Sequence, residues 1–400
     1  MKRALLVVLA FFASAGLVTQ AVGAGADPKP NPVALSSGER GLVARSSGHS
    51  SELVETIEIE KNAKPSRTVV ISIGSDRLPT LRRGSSLEAS AEVQLTLTCV
   101  RDGERCVGSP YRYDPRIGAQ LVLASSRDLS AGQELPISRR FSADCSQKVS
   151  NRNHHCPLVI DGADLETPPQ SQLPCEPREC FINLVVDASH PDAGAGDKLI
   201  VGIDSDSGEI LQDKGRVNAI VRAPDTEVAV RSLETRRRLL SEIPMTAGGS
   251  GQRSVVYSKR LRGLAVGDII DARALQVASI NHLDYAAFIG SQIIVADSPR
   301  GEHPGPIARR ATTYRGEVTE TNGFNCTQSG TDFSDPCRSP KTGIAAIRWA
   351  PVDKRGRPVP LYVNLISRAF PKRVGAMPDD VAKVKKQGYL RIRHLRELGI

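Results

Sequence analysis

The residues of this 400-residue chain with the most definite chemistry are its eight cysteines, Cys99, Cys106, Cys145, Cys156, Cys175, Cys180, Cys326 and Cys337. In an exported chain an even number of thiols favours disulfides over metal thiolates. Cys326 and Cys337 are the only two in the second half, and Cys145 and Cys156 share their 11-residue separation, so each couple is expected to close on itself. Cys99 and Cys106 flank the turn signal Asp102-Gly103, and Cys175 and Cys180 flank "EPRE", which makes local pairing the expectation there too.

His154 and His155 beside Cys156 have the composition of a metal site, but the corresponding place in the second half reads "SDPC", and Cys156 is assigned to a disulfide. The stretch "DSDSGE" at 204–209 begins like a calcium loop. Its sixth position is Glu209 and its twelfth Gly215, where such a loop needs Gly and Glu, so it reads as an acidic turn. No HExxH pair, G-x-S-x-G elbow or G-x-x-x-x-G-K-[ST] loop occurs. A carboxylate pair for glycoside hydrolysis is set by distance in space, so a hydrolase with a loop-built site is a third-ranked reading. Neither a cofactor nor a metal is expected.

Charge divides the chain more sharply than any motif. Residues 4–235 hold 24 Lys and Arg against 30 Asp and Glu, a net of −6, whereas residues 236–400 hold 27 against 14, a net of +13. In "VKKQGYLRIRHLREL" at 384–398, alternation places Leu390 and Ile392 inward and Arg391 and Arg393 outward. With Lys372, Arg373, Lys385 and Lys386, these two arginines form the candidate anion-binding set. A positive domain of this size attracts polyanions.

The elements that must position these residues are strands. "IGAQLVLASS" at 117–126 returns as "IGSQIIVADS" at 289–298, and "CFINLVV" at 180–186 is answered by "LYVNLIS" at 361–367. Leu78, Leu81, Gly84, Leu87, Ala89 and Ala91 match Leu261, Leu264, Gly267, Ile270, Ala272 and Ala274 at a constant offset of 183. This is the pattern of an internal duplication. "LEASAEVQLTLT" at 87–98 alternates apolar and polar residues, the period of a strand. The recurring amides Gln120, Gln292, Asn183 and Asn364 are expected to satisfy backbone groups of a repeated fold. Further strands are expected at 69–73, 181–187, 198–203, 216–222, 254–259, 343–349, 361–367 and 389–395.

The fold class is therefore all-β: two tandem, internally duplicated β-sandwich domains, jelly-roll or Ig-like. Residues 1–26 read as a signal peptide, with Lys2 and Arg3 before an apolar run that is too short to span a bilayer. Residues 27–52 read as a disordered spacer rich in Pro, Gly and Ser, 53–226 as the acidic domain, 227–252 as a linker with a helical candidate at 227–243, and 253–400 as the basic domain.

The leading expectation is a secreted, non-enzymatic binding or surface-associated protein. Its basic domain would engage an anionic cell-surface polymer, glycan or lipid surface, with nucleic acid disfavoured. The alternative is a structural module that self-associates by docking its acidic half on its basic half, within or between chains.

Overall fold

A computed structural model of the chain describes residues 41–48, 55–59, 67–74, 78, 80–97, 100–101, 104–105, 112–113, 116–127, 129, 134–144, 147–148, 154–166, 172–176, 179–189, 197–201, 215–244, 254–280, 286–300, 315–317, 322–327, 337–347, 355–371 and 381–398. The described regular elements are all strands. The first fifteen are β1 (Leu42–Gly48), β2 (Glu55–Ile59), β3 (Arg67–Ile73), β4 (Ser86–Leu97), β5 (Val100–Arg101), β6 (Glu104–Arg105), β7 (Arg112–Tyr113), β8 (Arg116–Ala124), β9 (Glu134–Pro136), β10 (Phe141–Asp144), β11 (Gln147–Lys148), β12 (His154–Glu166), β13 (Phe181–Ser189), β14 (Asp197–Val201) and β15 (Gly215–Arg222). The rest are β16 (Val228–Thr235), β17 (Glu242–Pro244), β18 (Ser254–Leu261), β19 (Ile269–Ile280), β20 (Ala286–Ala296), β21 (Arg315–Glu317), β22 (Asn322–Thr327), β23 (Cys337–Ala346), β24 (Leu361–Pro371), β25 (Val381–Val384) and β26 (Tyr389–Glu397).

The ladders make two sandwiches of the same plan. In the first, β14 and β15 follow one another along one edge of β4, β12 runs along its other edge, and β1 and β2 extend the sheet beyond β15 and β14. The facing sheet runs β3-β13-β8, with β9 and β10 in line on the far edge of β8. Counted as eight strand positions along the chain, the sheets have the orders 1-8-3-6 and 2-7-4-5. That is a jelly roll. The second sandwich repeats it, with β16/β17, β26/β25, β19 and β23 in one sheet and β18, β24, β20 and β22/β21 in the other.

The correspondence extends to register. Ser72 lies opposite Asn183 and Ser258 opposite Asn364, and in both pairs of strands the ladder slips by one residue at the same place, after Val69 and after Val255. Such bulges bend a strand. The two ten-residue phrases lie on β8 and β20, in matching positions. One close approach also recurs: Gly388 lets the Tyr257 side chain reach the backbone, since a Cβ there would stand 2.5 Å from the Tyr257 hydroxyl oxygen and 2.7 Å from the Leu275 carbonyl oxygen. Gly215 does the same for Ile71.

Alternation builds the cores. Leu87, Ala89, Ala91 and Val93 of β4 meet Ile117, Ala119, Leu121 and Leu123 of β8 in the first, while Ile270, Ala272 and Ala274 meet Ile289, Ile293 and Val295 in the second. The amides behave as expected for a structural role: Asn183 Nδ2 donates to the Ser126 carbonyl at 2.8 Å, Asn364 Nδ2 to the Ser298 carbonyl at 2.9 Å, and Gln120 Nε2 to the Ser138 carbonyl at 3.0 Å.

Two expectations need correction. The helical candidate at 227–243 is instead two strands, β16 and β17, and the spacer at 27–52 contains β1. Pairing decides both cases: β16 ladders onto β26 along its whole length and β1 onto β15, so strand partners distant in sequence satisfy the backbone. The strand expected at 343–349 begins earlier, at Cys337. Cys175 and Cys180 are bonded, with Cα atoms 5.2 Å apart. The "DSDSGE" stretch, Cys99, Cys106 and Cys145 lie outside the described residues, as do the side chains of His154, His155, Cys156, Cys326 and Cys337.

Candidate functional site

The candidate cations separate into two environments. Lys372 and Arg373 lie outside the described residues. Arg391 is outward, its side chain 53% exposed, with its guanidinium 4.5 Å above the Tyr389 ring and 3.5 Å from Glu234 Oε1. Arg393, two residues on, is not the free surface cation its alternation implies. The outer face of its sheet packs on the first sandwich, so outward from one core is inward to the contact between the two.

That contact is polar at its centre. Arg393 Nη1 donates to Glu88 Oε2 at 2.9 Å and Nη2 to Glu88 Oε1 at 2.5 Å, while its Nε donates to Asp271 Oδ2 at 2.7 Å. Arg273 adds a bond to Glu88 Oε1 at 3.3 Å. Four residues along β4, on the same face, Glu92 accepts from Lys341 Nζ at 3.1 Å and from the Thr342 backbone N–H at 2.9 Å. Glu88, Glu92, Asp271 and Lys341 are buried. Burial pushes the Asp271 carboxyl up, against the pull of Arg273 and Arg393. Burial also lowers Arg393, but Asp271 and Glu88 outweigh it and hold the guanidinium above its ordinary value. An apolar cluster seals one side, with Leu42, Ala44 and Ile220 from the first sandwich against Ile269, Ile344, Ala346 and Leu395 from the second. Removal of polar groups from water is tolerated here because each acid meets a donor.

A second polar knot pins the end of β26. Asp268 accepts from Ala265 N at 2.8 Å and Arg396 Nε at 2.8 Å, and lies 2.7 Å from His394 Nε2. Burial would raise this carboxyl, but Arg396, His394 and the Ala265 amide bring it down to about 2. In the first sandwich Ser85 takes the same place, accepting from Arg82 N at 3.2 Å. The turn needs a side-chain acceptor, which a serine supplies without acid–base chemistry, so this His–Asp pair is a brace. Among the described residues no three His, Cys, Asp or Glu side chains converge as a metal site would require.

The surface that does gather cations lies at the edge of the second sandwich. Residues 234–242 run antiparallel to 383–391, with Glu234 opposite Arg391 and Glu242 opposite Lys383. Between these pairs the crossover 236–241, "RRRLLS", passes the turn 385–388, "KKQG". Val384 N donates to the Ser241 carbonyl at 2.8 Å, Lys385 N to the Val277 carbonyl at 2.8 Å, and the Arg238 guanidinium donates to the Val384 carbonyl. Two runs nearly 150 positions apart thus form one edge with seven cations, Arg236, Arg237, Arg238, Lys383, Lys385, Lys386 and Arg391, against two carboxylates, Glu234 and Glu242. Arg236, Arg237, Lys383 and Lys386 are exposed. Glu234 is held below the ordinary carboxylate range, chiefly by its hydrogen bond from Arg236.

Sequence reasoning located Lys385, Lys386 and Arg391 of this edge and missed Arg236 to Arg238. The available signal was the charge run "RRR", which the helical reading assigned to a linker.

No family model matches the chain, and no curated protein matches it. Among solved structures, a chain of infectious bursal disease virus, Gx strain, aligns over 89% of this chain and 76% of its own length at 11% identity, with a TM-score of 0.26. A peptide-N(4)-(N-acetyl-beta-D-glucosaminyl) asparagine amidase aligns over 87% and 98% at 9% identity and a TM-score of 0.17. A putative secreted protein from Parabacteroides distasonis aligns over 90% of each chain at 6% identity and a TM-score of 0.17. Likeness at this level carries no argument about what the chain does.

Proposed function

We propose that this is a non-enzymatic, exported binding protein whose second sandwich engages an anionic partner through the edge formed by residues 234–242 and 383–391. The supporting observation is the convergence of Arg236 and Arg237, in the crossover between β16 and β17, with Lys383 of β25 and with Lys385 and Lys386 in the turn that follows it, between ladders that hold both segments at their ends. Arg393, Arg273 and Lys341 are engaged by Glu88 and Glu92, whereas Arg236, Arg237, Lys383 and Lys386 of this edge stand exposed. Export is supported by the signal-like start of the sequence and by the Cys175–Cys180 bond, which suits an oxidising compartment. Among the described residues no helix is long and apolar enough to cross a membrane.

The self-association reading draws on the same charge contrast between halves, but those complementary groups meet within one chain, which favours the binding reading. Retention of the full chain on heparin resin, eluted by salt, tests it. The expected result is retention that falls steeply with salt and is lost when Arg236, Arg237, Lys385 and Lys386 are all changed to Glu. Equal retention of that variant would refute the assignment of the edge.

A further inference from the structure

We infer that the partner of the basic edge is an anionic lipid surface, with Leu239 as the residue that enters it. This rests on the anion-binding reading above and adds an apolar component to it. Leu239 stands 54% exposed in the middle of the crossover. Its neighbour Leu240 packs against the core of the second sandwich. The backbone around them is held, with Leu239 N donating to the Val256 carbonyl at 2.9 Å and Arg238 bonded to the Val384 carbonyl. The fold therefore packs one leucine, half-buried, against the core and leaves the other exposed, with Arg236 and Arg237 before it and Lys383, Lys385 and Lys386 on the neighbouring segment.

A soluble polyanion answers the cations but offers nothing to an isobutyl group. A bilayer of anionic lipid answers both, with headgroup charge for the lysines and arginines and an acyl boundary just beneath for one protruding apolar side chain. Holding the crossover rigid means that little ordering is needed on contact.

The experiment is co-sedimentation of the full chain with vesicles of phosphatidylcholine alone and of equimolar phosphatidylcholine and phosphatidylglycerol, with heparin retention measured in parallel. The chain is expected to sediment with the mixed vesicles and not with phosphatidylcholine alone. Leu239→Ser should weaken vesicle binding roughly tenfold, as loss of one buried leucine side chain implies, and leave heparin retention unchanged. The position is exposed, so the variant should fold, and an unchanged Tm checks this. Heparin retention without vesicle binding, or vesicle binding indifferent to Leu239→Ser, overturns the lipid inference and leaves the anion-binding reading standing. Failure to bind either overturns both.

Discussion

Arg393 grips Glu88 with both guanidinium Nη atoms across 305 positions of sequence, joining the last strand of the second sandwich to the third strand position of the first. The opposite charges of the two halves thus have a local meaning, because the contact between the sandwiches is made of acids from one and cations from the other. Glu88→Ala strands Arg393 and Arg273 beside a single remaining acid, Asp271. The expected loss is about 3 kcal/mol, the lower end of the cost of breaking a buried pair, since both arginines keep some solvent. Thermal unfolding measures it. The double variant Glu88→Met with Arg393→Met should lose less than the sum of the single changes, and strict additivity would show that the two side chains do not act as a pair.

Asp268 gives a pH signature. Its carboxyl titrates at about 2 in the folded chain, against about 3.9 when unfolded. The folded state therefore binds this proton more weakly, and the stabilisation is complete above pH 4 and lost as pH falls toward 2. Asp268→Asn is expected to cost about 2 kcal/mol at pH 7 in urea unfolding, about half that at pH 3, and almost nothing at pH 2. A difference that stays constant over this range would mean that the carboxylate charge is not what stabilises the turn.

Much of this architecture was legible in the sequence, for a physical reason. In β4 and β8 one face is core, so period two is imposed on the side chains, and Leu87 to Val93 and Ile117 to Leu123 display it. In β16 that imprint is weak: the strand lies at a sheet edge with Ala229 to Ser232 exposed, and its stability comes from pairing with β26. Nothing local distinguishes such a strand from a helix. Arg393 illustrates a different limit. Alternation gave its direction correctly, away from Leu390 and Ile392, but the sequence does not show that another sandwich occupies that side. Lys385 and Lys386 were legible as a basic run, whereas their meeting with Arg236 and Arg237 depends on the order of strands in the sheet.

The repeated glycines separate backbone from side-chain constraint. At Gly388 an added Cβ would meet the Leu275 carbonyl, which belongs to a ladder and cannot withdraw, as well as the Tyr257 hydroxyl. At Gly215 the nearest atom is the Ile71 terminal methyl, which can rotate away, and the backbone oxygen of Glu92 is 3.3 Å off. Gly388→Ala should therefore destabilise by about 2 kcal/mol, within the usual cost of overpacking, and Gly215→Ala by less. Denaturant midpoints of the two variants would reverse this order if side-chain crowding alone governed both sites.

Disulfide mapping tests the independence of the two halves. Non-reducing peptide mapping should recover Cys175 with Cys180, and also Cys326 with Cys337, Cys145 with Cys156 and Cys99 with Cys106. Replacing Cys175 and Cys180 by Ser should cost about 2 kcal/mol, because so short a loop removes little entropy from the unfolded chain. Any bond from Cys326 into the first half would show that the sandwiches do not close their cysteines separately.

The two cation environments predict opposite phenotypes, which separates binding from stability. Arg393→Glu places a third acid beside Glu88 and Asp271 and should lower Tm strongly, through like charges brought together out of water. The combined change of Arg236, Arg237, Lys385 and Lys386 to Glu acts on side chains that mostly stand in solvent, where the folded and unfolded chains hydrate charge alike, so Tm should barely move. Binding should show the reverse. The edge variant should lose salt-sensitive retention on heparin, because counterion release scales with the number of cations engaged. Arg393→Glu, measured at a temperature where it remains folded, should keep most of that retention, since its guanidinium already serves Glu88 and Asp271. Loss of retention in both variants to the same degree, at matched folded fraction, would mean that binding follows overall charge and that the edge has no special role.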